Sequence, residues 1–495
     1  MVYPSLQEFK KLARSANVIP VYKEISADLD TPVSSFLKLA RDDYAFLLES
    51  VEGQEKMARY SFLGSNPSFV FRSKGSSIEI IDRLRKTSRN FTTASDPLRE
   101  LQNLMRDFRP AHIKGLPRFY GGFVGYMGYD TVRFFEDIPD KNFDGLDLAD
   151  TVFMLTDTIL VFDHINHTIK IVSNCVLPCE AAGRISIARQ ERVYRAAVKK
   201  IQAIERAFDR PIPRRRTEAR NKAEIKLSSN FDKSGFCGIV NKAKDYIRCG
   251  DIIQVVLSQR FKAKLTKSAF DVYRSLRSLN PSPYMFFLKV KETTLIGSSP
   301  ELLVRCEEGA VQTRPIAGTR RRGSNEQEDK KLERDLLSSV KEKAEHLMLV
   351  DLGRNDVGRV CAVGTVKVNN FMSVERYSHV MHLVSDVVGR LDRKYTAYDA
   401  LRACFPAGTV SGSPKVRAME IIDELENVRR GPYAGCVGYV SFSGNIDTCI
   451  TIRTICVKGA EAYIQAGAGI VADSNPEKEY QETINKAKAL FEALT

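Results

Sequence analysis

Strand-like and helix-like runs follow one another irregularly along this chain, and their order constrains the fold more than any single motif. The N-terminal half carries short apolar runs separated by turn residues, at 43–49, 60–63, 69–71, 121–129 and 158–162. Further along, strands and helices do not alternate as regular βαβ units, and no repeat of fixed period is present. The sequence therefore predicts an α+β fold in which large antiparallel β-sheets form a sandwich-like core flanked by helices.

A basic stretch divides the chain into two large parts. A long polar helix is predicted at about 180–208, and it leads into residues 210–226, which contain two prolines and three consecutive arginines. This composition is typical of a solvated linker between domains. We therefore predict a domain at 20–175, a helix and basic linker at 176–226, and a second domain at 227–492.

The second predicted domain mixes helices with strands. Apolar residues at helical spacing predict helices at 233–248, 269–279, 326–350 and 415–425. Short apolar runs predict strands at 252–257, 284–290 and 294–296.

Composition excludes several classes of protein. The formal net charge is +14, but the basic residues are spread over the chain without interleaved aromatics, so we predict no nucleic-acid partner. No apolar run approaches the roughly 18 residues that span a bilayer, and the N-terminus lacks the layout of a signal peptide. The ten cysteines form no Cys-x-x-Cys pair, as expected for free thiols. These observations predict a cytoplasmic protein that does not associate with membranes.

Residues 431–486 bring together side chains suited to a small carboxylate and a metal ion. Arg453 lies in an apolar run at 449–457 that we interpret as one strand, and a glycine-containing turn is predicted at Gly467 to Gly469, after a strand at 462–465. Glu482 lies in a helix-like run at 475–490. A guanidinium offers a planar fork to a carboxylate, small residues let backbone amides approach an anion, and a glutamate can bind Mg²⁺.

Glu345, in the predicted helix at 326–350, is a candidate for a second metal ligand. A single carboxylate holds Mg²⁺ weakly, whereas two carboxylates with a substrate oxygen and waters complete an octahedron. Sequence spacing alone does not establish that Glu345 and Glu482 are close, and a solvated helix residue is the alternative for Glu345.

Several ordered segments of the second predicted domain resemble the chorismate-binding domain shared by anthranilate, aminodeoxychorismate, isochorismate and salicylate synthases. They are Ser-Pro-Glu-Leu-Leu at 299–303, Pro-Ile-Ala-Gly-Thr at 315–319, Glu-His at 345–346 with Val-Asp-Leu-Gly-Arg-Asn-Asp at 350–356, Phe-Pro-Ala-Gly-Thr-Val-Ser-Gly-Ser-Pro-Lys at 405–415, and the segment 431–486. Residues 20–175 resemble the regulatory domain of anthranilate synthase component I. The resemblance thus covers nearly the whole chain and implies the chorismate-binding fold.

The resemblance implies roles for the candidate residues. Mg²⁺ held by Glu345 and Glu482 would bind the ring carboxylate of chorismate and ease departure of the C4 hydroxyl. The substrate-binding residues that it implies are Gly318, Thr319, Tyr433, Arg453, Gly467, Ala468, Gly469 and Lys486.

Three further residues match catalytic positions of the family. Glu301 matches the proposed general acid, a role that requires a proton near neutral pH, so we predict a pKa raised by burial and by neighbouring carboxylates. His382 matches a histidine implicated in the aromatising step in which pyruvate leaves, although its apolar neighbours suit a hydrogen-bonded core histidine equally well. Thr409 is expected to contact the pyruvyl side of the substrate.

Two positions separate the members of the family. Gln254 stands where relatives that use water carry a lysine base, and Ala317 stands where aminodeoxychorismate synthases carry an attacking lysine. The resemblance therefore implies addition of ammonia at C2 of chorismate, followed by loss of pyruvate to give anthranilate. The alternatives are an aminodeoxychorismate synthase, an isochorismate-forming relative, or a non-catalytic tryptophan sensor or nucleic-acid-binding protein with damaged metal ligands.

The resemblance also implies regulation and a partner. The segments Leu-Leu-Glu-Ser at 47–50 and Asn-Pro-Ser-Pro-Tyr-Met at 280–285 match those that bind feedback-inhibiting L-tryptophan. The implied inhibitor contacts are Ser50, Pro283, Tyr284 and Met285. Cys436 has no His-x-Glu partner of the kind that glutaminases use, so a separate glutamine amidotransferase subunit, and hence a hetero-oligomer, is implied.

Overall fold

The computed structural model describes residues 1–51, 59–178, 186–212, 226–377 and 380–495. Most of the predicted basic linker and the beginning of the helix predicted at 180 lie outside these ranges. Within them, this helix begins at Ile187, where the side chain of Ser186 accepts a hydrogen bond from the Arg189 amide, and it ends at Phe208 as predicted.

The strands, in chain order, are β1 (Val2–Tyr3), β2 (Val18–Ser26), β3 (Tyr44–Glu49), β4 (Tyr60–Ser65), β5 (Phe69–Lys74), β6 (Ser77–Asp82), β7 (Thr87–Thr92), β8 (Gly122–Met127), β9 (Thr151–Thr156), β10 (Thr158–Asp163), β11 (Thr168–Val176), β12 (Ser228–Ser229), β13 (Gln254–Lys264), β14 (Tyr284–Val290), β15 (Thr293–Ser299), β16 (Leu302–Glu307), β17 (Ala310–Thr313), β18 (Ile316–Arg321), β19 (Lys367–Arg376), β20 (Val380–Arg390), β21 (Gly412–Ser413), β22 (Cys436–Ser441), β23 (Ile446–Ile450), β24 (Thr454–Lys458) and β25 (Glu461–Ile470).

The helices are α1 (Leu6–Leu12), α2 (Pro32–Leu39), α3 (Pro97–Met105), α4 (Ile187–Phe208), α5 (Lys233–Arg248), α6 (Ala269–Leu279), α7 (Glu326–Ser338), α8 (Val340–Gly358), α9 (Ala397–Cys404), α10 (Lys415–Leu425) and α11 (Pro476–Leu494). Short 3-10 helices lie at Tyr129–Phe134 and Gly408–Val410.

Two large antiparallel sheets form the centre of the molecule, which confirms the predicted α+β class. The first sheet has the order β1-β2-β11-β10-β4-β3-β14-β15-β24-β25-β13-β12, with β21 paired to β13. The second sheet has the order β18-β20-β17-β16-β23-β22-β8-β9-β5-β6-β7, with β19 paired to β20. Because neighbours in these orders are often distant in the chain, most strand pairs depend on long-range contacts.

The two sheets pack face to face, and helices cover the other face of the first sheet. Phe62 of the first sheet meets Tyr439 of the second edge to face, with ring centroids 5.8 Å apart. On the opposite face of the first sheet, Phe36 of α2 stacks on Phe270 of α6 at 4.4 Å and meets Phe287 of β14 at 5.2 Å. Burial on both faces explains why strands such as β3 are apolar at nearly every position.

Both sheets run without interruption through the two predicted domains. Met285 of β14 pairs with Glu49 of β3 in the first sheet, and Gly438 of β22 pairs with Gly125 of β8 in the second. A Cβ atom at position 125 would lie 1.9 Å from the Val152 carbonyl oxygen, so a glycine is required for this close approach. The division of the chain into domains of different function stays a prediction.

The structure corrects three local interpretations of the sequence. The helix predicted at 326–350 is two helices, because Ser339 has extended backbone angles and caps α8. The run at 449–457 is not one strand: β23 ends at Ile450 in the second sheet, and β24 begins at Thr454 in the first. The turn predicted at Gly467 to Gly469 is wrong, because these residues continue β25.

Two further observations concern composition. The nine cysteines within the described ranges are all free thiols, as predicted. A helix long and apolar enough to cross a membrane is absent from residues 1–51, 59–178, 186–212, 226–377 and 380–495.

Candidate active site

A cavity of about 610 Å³ lies where β13 and β25 of the first sheet meet α8, α11 and the edge of the second sheet. Predicted site residues from ten separate stretches of the chain line this cavity. Those that line it are Gln254, Glu301, Gly318, Thr319, Glu345, His382, Thr409, Tyr433, Arg453, Gly467, Gly469, Glu482 and Lys486.

Ala468 is the exception among the predicted substrate-binding residues. It is fully buried in the hydrophobic core and does not line the cavity. Successive residues of a strand point to opposite faces, so Gly467 and Gly469 face the cavity while the methyl group of Ala468 faces away from it.

Arg453 lies where the chain crosses from one sheet to the other. Its φ of +50° is in the left-handed region, which residues other than glycine rarely adopt. Its backbone carbonyl accepts a hydrogen bond from the Ser298 amide. Burial lowers the pKa of the guanidinium, while Tyr433 and Glu482 oppose that effect. In the described part of the chain this guanidinium has no hydrogen bond or ion pair, so it is available to an anion in the cavity.

Two glycines of β25 leave room for polar side chains. A Cβ atom at Gly467 would lie 2.7 Å from the Tyr433 hydroxyl, and one at Gly469 would lie 2.5 Å from the Gln254 amide nitrogen. Lys486 of α11 donates a hydrogen bond to the Gly467 carbonyl at 3.0 Å. Glycine at these positions therefore keeps the floor of the cavity open to polar groups.

Glu301 is a buried carboxyl in the wall of the cavity. Its backbone carbonyl accepts a hydrogen bond from the Ile450 amide at 3.1 Å, which fixes the residue next to β23. Burial, rather than the neighbouring carboxylates that were also expected to contribute, raises the pKa of Glu301 from 4.5 to about 8, although a polar contact with Thr409 and the charge of Lys486 partly oppose it. Glu301 therefore holds a proton at neutral pH, as a general acid requires.

His382 lies on β20 beside Gly318 and Thr319. Its Nδ1 is 3.0 Å from the Gly318 carbonyl oxygen and 3.1 Å from Thr319 Oγ1. A carbonyl only accepts, so this contact favours a proton on Nδ1 and leaves Nε2 as an acceptor. The pKa of His382 is lowered mainly by burial and further by Arg453, so the ring is neutral at pH 7.

Carboxylates crowd one wall of the cavity. Burial raises the pKa of Glu345, and the charges of Glu342 and Glu482 raise it further. Burial and Glu482 likewise raise the pKa of Glu479. A cation would relieve this repulsion, and Lys486 already pairs with Glu482 at 2.6 Å.

This set of carboxylates fits Mg²⁺. Within the described residues, no group of three His, Cys, Asp or Glu side chains is arranged to hold a metal ion alone. Mg²⁺ keeps several waters and takes only one or two protein carboxylates together with substrate oxygens, so two glutamates on this wall are enough in number to hold it.

The sequence analysis missed Glu342, Glu479 and Gln465, which also line the cavity. Glu342 precedes Glu345 by three residues and Glu479 precedes Glu482 by three. Residues three apart share one face of a helix, so this spacing was available as a signal. Gln465 lies in a strand, and it carried no comparable signal.

A second, narrower cleft contains the four predicted inhibitor contacts. Ser50, Pro283, Tyr284 and Met285 line it together, at the junction of β3 and β14. The Ser50 hydroxyl is buried without a hydrogen-bond partner among the residues that the structure describes. An unpaired buried hydroxyl suits a ligand that supplies the missing bond.

Charged groups that the sequence analysis did not single out form the far wall of this cleft. Tyr284 donates a hydrogen bond to Asp447 at 3.0 Å, and Arg305 donates to Asp447 at 2.9 Å and to the Tyr284 oxygen at 3.0 Å. The cleft therefore combines apolar walls with both signs of charge, which is the chemistry that an amino acid needs.

Comparison with known proteins identifies the family. The model of the chorismate binding enzyme family matches residues 44–492. Anthranilate synthase component 1 of Aquifex aeolicus is 51% identical over 493 residues, covering 99% of this chain and 97% of its relative. The corresponding protein of Pseudomonas aeruginosa is 45% identical over 494 residues, covering 99% and 98% of the two chains.

Comparison with solved structures points to the same family. The crystal structure of anthranilate synthase component I from Streptococcus pneumoniae TIGR4 has a TM-score of 0.77 and 38% identity, covering 94% of this chain and 98% of that one. The menaquinone-specific isochorismate synthase from Escherichia coli, 18% identical, has a TM-score of 0.69 over 99% of both chains, and this likeness concerns the fold alone. The chain belongs to the chorismate-binding enzymes and, among them, to the family of anthranilate synthase component 1.

Proposed function

We propose that this enzyme aminates chorismate at C2 with ammonia and then eliminates pyruvate to give anthranilate. The observation that carries the proposal is the shared cavity in which the buried carboxyl of Glu301, with its pKa raised by burial, lies together with the unpaired guanidinium of Arg453 and several carboxylates. Chorismate needs all three: an acid for its C4 hydroxyl, cations for its carboxylates, and ligands for a metal.

The groups proposed to hold the substrate are the guanidinium of Arg453, which has no hydrogen bond or ion pair within the described residues, and the ammonium of Lys486, which also pairs with Glu482. Arg453 and Lys486 offer positive charge to its carboxylates, and Tyr433 lies beside Gly467 with its hydroxyl directed to the same floor. Mg²⁺ bound by Glu345 and Glu482 would act as a Lewis acid toward the ring carboxylate. A charge-assisted hydrogen bond to a buried cation contributes about 1.5 to 3 kcal/mol, so Arg453 is the principal anchor.

Proton transfers are assigned to two residues of this chain. Glu301 gives its proton to the C4 hydroxyl, which leaves as water while ammonia adds at C2. The added nitrogen then releases one proton, which restores the acid form of Glu301. His382 accepts the C2 proton on Nε2 as the C3–O bond breaks, and returns it to the methylene carbon of the departing enolpyruvate to give pyruvate. Thr409 lies against Glu301 and borders the same side of the cavity.

Amination is favoured over hydration and over attack by a lysine. The position of a water-activating lysine holds Gln254, which is 4% exposed and cannot take a proton from water. Ala317 lines the cavity where an attacking lysine would be required for the aminodeoxychorismate route. Ammonia needs neither a base nor a covalent intermediate.

Ammonia is proposed to come from a glutamine amidotransferase partner in a hetero-oligomer. The name component 1 of the relatives implies a second component. Cys436, the candidate for an internal glutaminase nucleophile, is fully buried, and burial raises the pKa of its thiol to about 12. A thiol in that state is not a nucleophile.

L-tryptophan is proposed as a feedback inhibitor that binds in the cleft of Ser50 and Pro283 to Met285. The unpaired Ser50 hydroxyl and the backbone at the start of β14 would bind its ammonium and carboxylate groups, while Met285 packs against the indole. The cleft lies where β3 of the N-terminal part pairs with β14 of the C-terminal part. Bound tryptophan would therefore favour one relative arrangement of these two parts over another.

The test is a fluorescence assay for anthranilate with the purified chain, chorismate, an ammonium salt and Mg²⁺. We expect product with ammonium and none with glutamine alone, loss of activity with a chelator, and inhibition by tryptophan. Formation of aminodeoxychorismate or isochorismate would reject the proposal in favour of those activities. Absence of any turnover of chorismate would reject the catalytic assignment altogether.

A further inference from the structure

An ion pair that does not line the cavity lies directly behind its wall. Arg430 and Glu426 have side chains only 1% and 2% exposed, and they are joined by two hydrogen bonds, of 2.6 Å from Nη2 and 3.0 Å from Nε. Placing two charges in the interior carries a large desolvation cost, and apolar side chains of similar size usually stabilise a core as well or better. The position of this pair therefore calls for an explanation other than stability.

Arg430 joins two backbone segments that form the cavity wall. Its Nη1 donates to the Val410 carbonyl at 2.7 Å, and its Nη2 donates to the Val256 carbonyl at 2.7 Å. Both valines line the cavity. The guanidinium thus ties the 3-10 helix at Gly408–Val410 to β13, two segments that lie far apart in the sequence.

The same guanidinium also holds an aromatic side chain of the site. It lies 5.5 Å from the ring centroid of Tyr433 and 4.8 Å from that of Tyr129. A cation against the faces of aromatic rings is attracted to both, most strongly where water is excluded. Tyr433 is therefore held from behind, while its hydroxyl faces Gly467 at the floor of the cavity.

Glu426 extends the network to a fourth part of the wall. It accepts hydrogen bonds from the amide and hydroxyl of Ser258, at 2.7 Å and 2.8 Å. The Ser258 hydroxyl in turn accepts one from the Gln465 side chain at 2.8 Å, and Gln465 lines the cavity on β25. One buried pair thus connects β13, β25, the 3-10 helix and Tyr433.

We propose that Arg430 and Glu426 are positioning residues that set the relative placement of Tyr433, the Thr409–Val410 segment and β13 for the reaction. The inference rests on the proposed function, because its effect is measured as anthranilate formation. Thr409 adjoins Val410 and lines the same cavity as Glu301, so release of the Val410 carbonyl shifts a segment that borders the general acid. Neither Arg430 nor Glu426 reaches the substrate itself.

The test replaces both charges at once. In Arg430→Met/Glu426→Leu no charge is left unpaired, so we expect the fold to be retained while the links to Val256, Val410 and Ser258 are lost. We expect kcat to fall about 100-fold, as small misplacements of reacting groups do, and the Michaelis constant for chorismate to rise as Tyr433 moves. Loss of folded protein alone would lower kcat and leave the Michaelis constant unchanged.

The matched control is Lys38→Met/Asp30→Leu, which removes an ion pair of side-chain exposure 10% and 17% that lines neither cavity nor cleft. We expect this variant to keep wild-type kinetics. A folded Arg430→Met/Glu426→Leu variant with wild-type kcat and Michaelis constants would overturn the proposal.

Two single substitutions decide the question if the double variant does not fold. Arg430→Lys keeps the charge but loses the fork that reaches both carbonyls, and Ser258→Ala removes only the link from Glu426 to Gln465. Lowered kcat with wild-type melting temperatures supports the positioning role. Wild-type kinetics in both overturns it. If the wild-type chain itself makes no anthranilate, the proposed function fails instead, and the two failures are distinguishable.

Discussion

Glu301→Gln is the substitution whose effects follow most directly from the structure. It keeps the shape of the side chain but removes a proton that the wild type carries at pH 7, since the pKa of Glu301 is raised from 4.5 to about 8 by burial. A positioned general acid contributes about 100- to 10,000-fold, so kcat should fall by that factor. The wild-type rate should decline above about pH 8, where Glu301 ionises.

The same substitution should change the pH dependence of stability. Below pH 4.5 the carboxyl is protonated in both the folded and the unfolded chain, so it does not change the free energy of unfolding as the pH varies. Between 4.5 and about 8 only the unfolded chain releases the proton, so the free energy of unfolding of the wild type decreases as the pH rises. From pH 4.5 to about 8 the free energy of unfolding should fall by at most about 5 kcal/mol, and between pH 5 and pH 8 it should fall by about 3 kcal/mol.

Glutamine does not ionise, so Glu301→Gln should gain up to about 3 kcal/mol over the wild type when the pH is raised from 5 to 8. Urea unfolding of both proteins at the two pH values measures this difference. Glu326→Gln, at a side chain 82% exposed, is the matched control. A stability difference that is the same at both pH values, or a variant that turns over within tenfold of the wild type, would refute the reasoning.

The remaining predictions concern binding. Arg453→Met should raise the Michaelis constant for chorismate about 10- to 100-fold, as expected for a lost charge-assisted hydrogen bond, and an unchanged constant would contradict its role as anchor. Glu345→Gln and Glu482→Gln should each raise the Mg²⁺ concentration needed for half-maximal activity, measured by titration after chelation; Glu479→Gln should have a smaller effect, and equal effects in all three would argue against the assigned ligand pair. Ser50→Phe should fill the cleft and abolish inhibition by tryptophan, while activity without tryptophan stays near that of the wild type; retained inhibition would remove the cleft from consideration.

Elements whose signals are local could be predicted from the sequence. The predictions of helices at 233–248, 269–279 and 415–425 are confirmed at α5, α6 and α10. Two of them begin at capping side chains, Asp232 and Ser268, whose oxygens accept hydrogen bonds from amides of the first turn. Apolar periodicity and a cap both lie within a few residues, so neither needs the rest of the fold.

The crossing of the chain at Arg453 could not be predicted in this way. The apolar run at 449–457 looks continuous because each of its ends is buried, but in different sheets. The crossing is held by distant partners: the Thr451 amide donates to the Gly435 carbonyl, and the Ala434 amide donates to the Thr451 carbonyl. Only the tertiary structure reveals that Arg453 lies in the short connection between β23 and β24.

The site was predictable only in part for the same reason. The pairing of Glu345 with Glu482 was predicted only from the family resemblance. The same two helices also place Glu342 and Glu479 in the cavity, each three residues before the predicted ligand. Arg430 and Glu426 gave no signal, because an arginine four residues after a glutamate usually marks a solvated helix face. Their burial follows from packing between β13 and the 3-10 helix, which spacing does not encode.

Because both sheets contain strands from the N-terminal and the C-terminal part, cleavage of the chain between these parts would divide each sheet. A cut within the basic linker would leave β3 and β8 as open edges on one fragment, and β14 and β22 on the other. Unpaired strand edges template association with other chains, so each fragment alone should aggregate, whereas the two produced together have complementary edges and should reassemble. In evolutionary terms, the N-terminal part of this enzyme cannot be exchanged as an independent module, because each half completes the sheets of the other.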